Sequence, residues 1–366
     1  MMQTKETRSS MRFYQEEKHS AVDAKFEAQK IAFAPFVFQA SMALRDLGIL
    51  KIIEDSGTAG ITQEEIVAKL TLSNYGVRVL VEAGLGMGLL IINDGKYTIT
   101  RVGYYILNDP MTIANMDFVQ DINYQGFFHL KDSIVNGKPE GLKVIGPQYE
   151  TFYQALSELP EKEKQSWLAF DHFYSDDSFS RVLPIVFKFN PAKILDVGGN
   201  TGKWSLSCVH HNKDVKMTIA DLPQQIAMAK ENISQYKEGE RISYHPLDIL
   251  KPETSLPAGY DVVWMSQFLD CFSEDEIVGI LKKALTALTD SGKLIIMETF
   301  WDRQKFEAAS FCLQQTSLYF TCIANGNSQM YHSEVFIRCV EKAGFVIEED
   351  INNVGISHTV LICKKK

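Results

Sequence analysis

The feature that most constrains the fold is a regular alternation of short β-rich segments with amphipathic helical segments, which begins at Pro191. The sequence predicts strands at residues 194–197, 216–220, 242–245, 261–265, 293–297, 345–351 and 359–364, and helices at 203–211, 223–236 and 274–288. Strands separated by helices of this length are joined by right-handed crossovers, so they form a parallel, doubly wound sheet. In such a sheet the ligand lies beyond the carboxyl ends of the first strands.

The part of the chain before Pro191 has a different pattern, because helical segments dominate there. Helices are predicted at residues 33–50, after Thr62, where Glu65 completes a capping box, and at 74–85. A hairpin with its turn at residues 93–95 follows. This order is typical of a winged-helix domain. The third helix carries one basic residue, whereas a DNA-recognition helix needs several donors, so dimerisation or packing is favoured over DNA binding.

A glycine-rich loop, Asp196-Val197-Gly198-Gly199-Asn200-Thr201-Gly202-Lys203, follows the first strand of the alternating region. Glycines at such a place let the backbone approach a ligand closely at a helix N-terminus. The loop does not fit a P-loop, because Val197 and Trp204 stand where that motif needs glycine and a hydroxyl residue. The dinucleotide fingerprint fails too, because Asn200 and Lys203 stand where it needs glycine.

Three carboxylates at successive strand ends indicate what the loop holds. Asp196 lies on the first strand, where a carboxylate repels a pyrophosphate but suits a cationic amino-acid group. Asp221 ends the second strand, where an acidic residue accepts from ribose hydroxyls, and Asp248 ends the third, where it meets an adenine amine. Together they indicate S-adenosylmethionine. The alternative is that all three carboxylates only cap turns or helices.

With these residues in place, the chain resembles the S-adenosylmethionine-dependent O-methyltransferases of the plant-caffeate and bacterial-polyketide type. The matching motifs occur in the expected order at residues 43–49, 136–139, 146–150, 195–202, 221–223, 248–250 and 292–298. The resemblance implies an α/β fold with a Rossmann-like, class I methyltransferase domain at residues 186–366. It also implies a mainly helical winged-helix dimerisation domain at 1–110, a helical linker at 111–185 that contributes to the acceptor pocket, and a homodimer formed through the N-terminal domain.

The resemblance also assigns residues to the cofactor and to the acceptor. The expected cofactor-binding residues are Asp196, Gly198, Gly199, Asn200, Gly202, Asp221, Leu222, Asp248, Ile249, Ser266 and Gln267. The acceptor pocket is expected to be walled by aromatic side chains, namely Phe128, Trp167, Phe170, Tyr174 and Tyr319. For each aromatic residue the alternative is a place in the core between domains.

The catalytic residues are where the sequence departs from the family. Many members have a histidine base after the fourth strand, and here Asp270 stands at that position. Glu298 matches one of the two carboxylates that flank the histidine, whereas the second falls near Met330 and is absent. Full proton transfer from a phenol to an ordinary aspartate is uphill by roughly 8 kcal/mol.

Three alternatives therefore stay open for the acceptor proton. Asp270 is the base with a pKa raised by burial, or a histidine serves instead, with His332 placed ahead of His129 and His172. The third alternative is that positioning of the acceptor for in-line attack carries the rate alone.

Composition limits the remaining function classes. The net charge is −9, no apolar run is long enough to span a bilayer, and the six cysteines have no C-x-x-C spacing. We therefore expect a cytoplasmic enzyme with no metal and no nucleic-acid or membrane partner. Its expected reaction is O-methylation of a small aromatic or conjugated metabolite. The alternatives are N- or C-methylation or non-methylating chemistry on the same fold, and a winged-helix regulator with a metabolite-sensing domain.

Overall fold

The computed structural model describes residues 10–156, 158–175 and 178–366, and the side chains of residues 172–175 fall outside that description. The chain divides into two compact units. Residues 17–121 form the first unit, and residues 10–16 with 122–366 form the second.

The first unit is mainly helical. Its elements are α1 (Ala21–Ala32), α2 (Ala34–Asp46), α3 (Ile49–Asp55), α4 (Gln63–Lys69), α5 (Asn74–Gly86), β1 (Leu90–Asn93), β2 (Lys96–Ile99), α6 (Arg101–Asn108) and α7 (Pro110–Phe118). The capping box predicted at Thr62 and the hairpin β1–β2 are both confirmed. The helix predicted at 33–50 is instead two helices, because Gly48 adopts a left-handed conformation with φ 79° and ends the first. Leu44, Ile53 and Val77 belong to the buried core that holds the unit together.

The second unit contains a seven-stranded sheet. Its strands are β3 (Lys193–Val197), β4 (Lys216–Asp221), β5 (Ile242–Pro246), β6 (Tyr260–Ser266), β7 (Leu288–Thr299), β8 (Phe345–Val354) and β9 (His358–Lys365). The order is β5-β4-β3-β6-β7-β9-β8, in which the first five strands are parallel and β9 pairs antiparallel with both β7 and β8. The predicted doubly wound sheet is therefore confirmed, and it has an antiparallel edge.

Helices precede, connect and cover these strands. They are α8 (Leu130–Asn136), α9 (Phe152–Ala155), α10 (Glu161–Ser175), α11 (Phe179–Phe187), α12 (Lys203–His211), α13 (Pro223–Ile233), α14 (Glu274–Ala287), α15 (Glu307–Tyr319) and α16 (Ser333–Lys342). The predicted helix at 223–236 ends at Ile233, three residues earlier than expected. Within the described residues, no helix has the length and apolarity needed to cross a bilayer.

The strands in the middle of the sheet are buried on both faces. Neighbouring residues on one strand belong to different apolar clusters, as Ile194 and Leu195 do on β3, because successive side chains of a strand point to opposite faces. The strand order reverses at β3, which pairs with β4 on one side and β6 on the other. A crevice opens beyond the carboxyl ends of strands at such a reversal, and this is where a ligand binds.

Candidate active site

The glycine loop between β3 and α12 is closely packed. Gly198 has φ +75°, and a Cβ there would lie 2.2 Å from a ring carbon of Phe268. Gly202 has φ +78° and caps α12, and a Cβ there would lie 2.5 Å from Ile233. Side chains are excluded at both positions, so the backbone of the loop reaches the crevice directly.

The loop borders an open cleft with an empty volume of about 540 Å³, part of which is open solvent. Six of the predicted cofactor residues line it: Asp196, Gly198, Gly199, Asn200, Ser266 and Gln267. Asn200 and Gln267 both have left-handed backbones, with φ 47° and 45°. Their side-chain oxygens are buried and accept no hydrogen bond from any described residue. Two unsatisfied amide oxygens at one cleft indicate a ligand with hydrogen-bond donors.

Asp196 lies under the loop. Its side chain is 2% exposed, and the Ser205 hydroxyl donates to its carboxylate at 2.6 Å. Burial raises the pKa of Asp196 to about 7. The hydrogen bond ties the strand to α12 and fixes the start of that helix beside the cleft.

The other predicted cofactor residues are not among the residues that line the cleft. Gly202 caps α12, and the remaining four lie at or just after the ends of the neighbouring strands β4 and β5. At the end of β4, the Asp221 carboxylate accepts the Asn200 backbone N–H at 2.9 Å and the Leu222 N–H at 2.7 Å. These bonds use different oxygens, so each oxygen keeps a second acceptor position. Burial raises the pKa of Asp221 to about 6. After β5, Asp248 accepts the Leu250 N–H at 3.1 Å, and Ile249 is buried.

A pair of buried carboxyl groups lies past β6 and near the end of β7. Asp270, on the 3-10 turn Leu269–Cys271, is 4% exposed, and Glu298 is 1% exposed. One oxygen of Glu298 accepts the N–H groups of Phe268 and Leu269 at 3.1 and 2.9 Å. Its other oxygen is buried and contacts no donor in the described part of the chain.

This pair holds protons more tightly than ordinary carboxyl groups. Burial raises the pKa of Asp270 to about 7, and the negative charge of Asp171 adds to the effect. Burial and the charge of Asp270 raise the pKa of Glu298 well above its usual range. The pair is thus suited to accept a proton near neutral pH.

His332 lies in a different setting. It caps α16, where its Nδ1 accepts the Glu334 N–H at 3.2 Å and its Nε2 lies 3.8 Å from the Asp302 carboxylate. It does not line the cleft. Met330, the position of the missing second carboxylate, contacts the Thr299 hydroxyl through its sulfur at 3.5 Å.

Two of the predicted acceptor aromatics come together. The Trp167 indole N–H donates to the Tyr319 hydroxyl at 3.2 Å, and Phe152 packs against both rings. Phe170 is half-buried on α10. Phe128 is 81% exposed, because the 3-10 turn that carries it buries Gly126 instead, and it is not among the residues that line the cleft. The Tyr174 side chain falls outside the described residues.

Four residues of this region were not predicted from the sequence. Asp171 lines the cleft and accepts from the Asn200 amide at 3.3 Å, and Trp204 also lines the cleft. Tyr153 and Cys271 lie close enough to Asp270 to interact with it electrostatically. The one available signal was Asp171, a carboxylate within the aromatic run from Trp167 to Tyr174. In the described part of the chain, no cluster of three or more potential metal ligands occurs.

Comparisons with known proteins agree with this geometry. Residues 25–97 match the model of the Dimerisation2-like domain, and residues 127–346 match that of the O-methyltransferase domain. The chain is 24% identical to an L-tyrosine C(3)-methyltransferase of Streptomyces lavendulae over 318 residues, which are 86% of this chain and 85% of the relative. It is 25% identical to a 3-hydroxy-5-methyl-1-naphthoate 3-O-methyltransferase of Streptomyces sahachiroi over 244 residues, 66% and 68% of the two chains.

The fold is also similar to that of human N-acetylserotonin methyltransferase in complex with S-adenosylmethionine. The TM-score is 0.67 at 19% identity, and the match covers 96% of this chain and 100% of the human one. The helical first unit and the Rossmann-like second unit thus correspond to known domains of one enzyme class.

Proposed function

The chain belongs to the O-methyltransferase family and is an S-adenosylmethionine-dependent methyltransferase, and we propose that it methylates a phenolic hydroxyl of a small aromatic acceptor with Asp270 as the general base. The observation that carries the proposal is the buried carboxyl pair Asp270–Glu298. Asp270 lies three residues after the cleft-lining Gln267, and Glu298 follows Met297, which pairs with the cleft-lining Ser266.

The residues at the cleft fit the cofactor. The backbone of Gly198, Gly199 and Asn200 borders the open space, Asp221 offers its remaining acceptor positions to the ribose hydroxyls, and Asp248 is assigned to the adenine amine. The unsatisfied oxygens of Asn200 and Gln267 suit the donors of the cofactor. When bound, S-adenosylmethionine supplies an electrophilic methyl group on its sulfonium.

Asp270 removes the acceptor proton more easily than an exposed aspartate. With a pKa of about 7, it accepts a proton from a phenol of pKa about 10 at a cost of roughly 4 kcal/mol, about half that for an ordinary aspartate. Glu298 holds the turn through the N–H groups of Phe268 and Leu269, and therefore fixes where Asp270 stands. Positioning of the acceptor adds to the rate through effective molarity.

The aromatic cluster of Phe152, Trp167 and Tyr319 is assigned to the wall of the acceptor pocket. Tyr319 belongs to it because its hydroxyl, which accepts from Trp167, interacts electrostatically with Asp270 and Asp171. A flat apolar wall that ends in a hydroxyl group suits an aromatic ring with a polar substituent.

Methylation of a ring carbon is the second candidate. It is favoured by the relative from Streptomyces lavendulae, named as a C(3)-methyltransferase, which the chain matches over most of both lengths. The same base serves this reaction, because removal of the phenolic proton makes the ortho carbon nucleophilic. The ring then regains aromaticity by releasing a proton from that carbon.

Product analysis separates the two candidates. The enzyme is incubated with S-adenosylmethionine carrying a ¹³C-labelled methyl group and with a panel of phenols, naphthols and anilines. We expect an aryl methyl ether, which ¹³C NMR distinguishes from a ring methyl or an N-methyl group. A ring methyl group would establish the second candidate, and methylated anilines alone would overturn both.

We also propose that the chain is a homodimer joined through residues 17–121. The match to the Dimerisation2-like domain supports this, as does α1, in which no residue is buried. Exposed apolar side chains occur on α1 and at the start of α2: Val22, Phe26, Ile31, Phe33 and Phe36. A surface of this kind is typical of an interface.

Sedimentation velocity tests the dimer. The wild-type chain of 41.4 kDa is expected to sediment at twice that mass. The double substitution Phe26→Asp with Phe36→Asp should produce monomers, because a charge buried in an interface is strongly unfavourable. Tyr75→Asp, at an exposed site on α5, is the control and should leave the dimer intact. A monomeric wild type would contradict the proposal.

A further inference from the structure

The indole N–H of Trp204 is an unexplained feature of the cofactor cleft. Trp204 lines the cleft and is 4% exposed, and its Nε1 has no acceptor among the described residues. Rotation of the ring toward an acceptor is hindered by its neighbours. It stacks on Trp264 with 4.4 Å between the ring centroids, and it packs edge-to-face with Phe179 with 5.3 Å between the centroids. A buried donor held without a partner beside an open cleft indicates a ligand acceptor.

The surroundings of Trp204 favour an anion. It is the second residue of α12, whose N-terminus begins at Gly202 and borders the cleft through Thr201 and Lys203. The first N–H groups of a helix have no partner within the helix, and the helix dipole attracts negative charge there. The indole N–H and the helix N-terminus therefore offer donors to the same ligand group.

Another part of the cleft lining offers acceptors instead. Asp171 on α10 accepts the Asn200 amide N–H at 3.3 Å, so the carboxylate and this amide are held together. The amide oxygen of Asn200 is buried and unsatisfied by the described residues. A carboxylate and a carbonyl oxygen side by side suit an ammonium group.

We propose that these two parts of the cleft bind the two charged groups at the amino-acid end of the cofactor. The Trp204 indole N–H donates to the carboxylate, and the Asp171 carboxylate and the Asn200 carbonyl accept from the ammonium. This proposal rests on the assigned cofactor and adds two residues that hold it. It makes Trp204 and Asp171 positioning residues, because they set where the reacting methyl group stands without touching the acceptor proton.

Three ligands that share the adenosine part test the assignment by calorimetry. S-adenosylhomocysteine has both the carboxylate and the ammonium, its decarboxylated form has the ammonium alone, and 5′-methylthioadenosine has neither. The variants are Trp204→Phe, which keeps the aromatic packing and removes the N–H, and Asp171→Asn, which keeps the shape and removes the charge. Asp261→Asn is the control, because Asp261 bonds the N–H groups of Ala192 and Lys193 at the amino end of β3.

Trp204→Phe should weaken S-adenosylhomocysteine about 10-fold or more, the effect of a lost hydrogen bond to a charged group, and leave the other two ligands within about twofold. Asp171→Asn should weaken both ammonium-bearing ligands to a similar degree and spare 5′-methylthioadenosine. Unchanged binding of 5′-methylthioadenosine also reports that the cleft of each variant is folded.

Other outcomes overturn the proposal. If Trp204→Phe weakens all three ligands equally, the residue acts through packing, and if it weakens none, its N–H does not meet the cofactor. If Asp171→Asn leaves S-adenosylhomocysteine unchanged, the ammonium lies elsewhere. Failure of the wild type to bind any of the three ligands would instead refute the cofactor assignment itself.

Discussion

The carboxyl groups at the two ends of the site differ in the hydrogen bonds that they accept. At the cofactor end, Asp221 receives a backbone N–H on each oxygen, and Asp196 receives a short bond from Ser205. At the acceptor end, Asp270 receives the Cys271 thiol at 3.5 Å, a weak donor, and one Glu298 oxygen has no partner among the described residues. Both sets are removed from water, but the backbone donors to Glu298, the N–H groups of Phe268 and Leu269, are confined to one of its oxygens.

This difference separates binding from proton transfer. Hydrogen bonds from the protein fix a carboxylate and favour its charged form, so its remaining lone pairs are presented to a ligand in a constant geometry. Burial with few donors, beside a second carboxyl group, disfavours the charge and raises proton affinity. Asp270, which interacts electrostatically with Glu298, Asp171 and Cys271, is the group to which we assign proton transfer on this ground.

The largest effect expected from this comparison is on turnover. Asp270→Asn should lower kcat by about 100-fold or more, because an amide cannot accept the proton that a general base removes. The affinity for S-adenosylhomocysteine should stay within about twofold, since Asp270 is not at the cofactor end. Asp275→Asn, on the exposed face of α14, is the control. Unchanged turnover in Asp270→Asn would assign the proton to another base, such as a histidine, or leave positioning of the acceptor as the source of the rate.

The pH profile tests the same residue in the unmodified enzyme. A base must be ionised to accept a proton, so kcat should rise as the pH increases through about 7, the pKa to which burial brings Asp270. Below that pH it should fall by about tenfold per unit. The rising limb should disappear in Asp270→Asn. A limb that persists in the variant would assign it to another group.

Asp196 is the intermediate case, since it has a strong donor and yet a pKa of about 7. In the folded protein it keeps its proton up to that pH, whereas in the unfolded chain it releases the proton near pH 4. The free energy of unfolding therefore decreases as the pH rises from 4 to 7, and this group accounts for a decrease of up to about 4 kcal/mol. Asp196→Asn removes that loss.

Urea unfolding of the ligand-free protein at several pH values measures this effect. The stability of Asp196→Asn relative to the wild type should increase from pH 4 to pH 8, and Asp214→Asn, at an exposed position, should show no such trend. A constant difference between Asp196→Asn and the wild type would mean that Asp196 ionises at the same pH in the folded protein as in the unfolded chain.

The same contrast explains what the sequence could predict. The cofactor end is local in sequence: Gly198, Asn200 and Gly202 lie on one loop, and Asp221 ends the next strand, so spacing alone brought them together. The strands of the sheet were predictable for the same reason, since each is a short apolar run with its own boundaries.

The acceptor end could not be predicted in this way. Tyr153, Asp171, Asp270 and Tyr319 come from four separate segments, and their burial depends on how those segments pack. The sequence identified Asp270 only through its position in a family motif. It gave no indication that Phe128 would be exposed, because an aromatic residue on a short turn has no periodic pattern to assign its face.

The smallest expected effect concerns Asp221 and has a matched control within the sheet. Asp221 and Asp261 each accept two backbone N–H groups, the first at the carboxyl end of β4 and the second near the amino end of β6. Replacing either by alanine removes the same kind of loop anchor. If Asp221 also accepts from the ribose, only its loss should affect the cofactor, by about 1.5–3 kcal/mol, the range for a charge-assisted hydrogen bond.

Calorimetry with S-adenosylhomocysteine, combined with thermal unfolding, separates the two roles. Asp221→Ala should weaken binding by roughly 10- to 150-fold. Asp261→Ala should lower Tm by about as much as Asp221→Ala does, but it should leave the affinity unchanged. Equal affinities in the two variants would show that Asp221 only anchors the loop. The carboxylates at the strand ends would then be caps, and the cleft would hold the cofactor through the loop backbone and the side chains that line it.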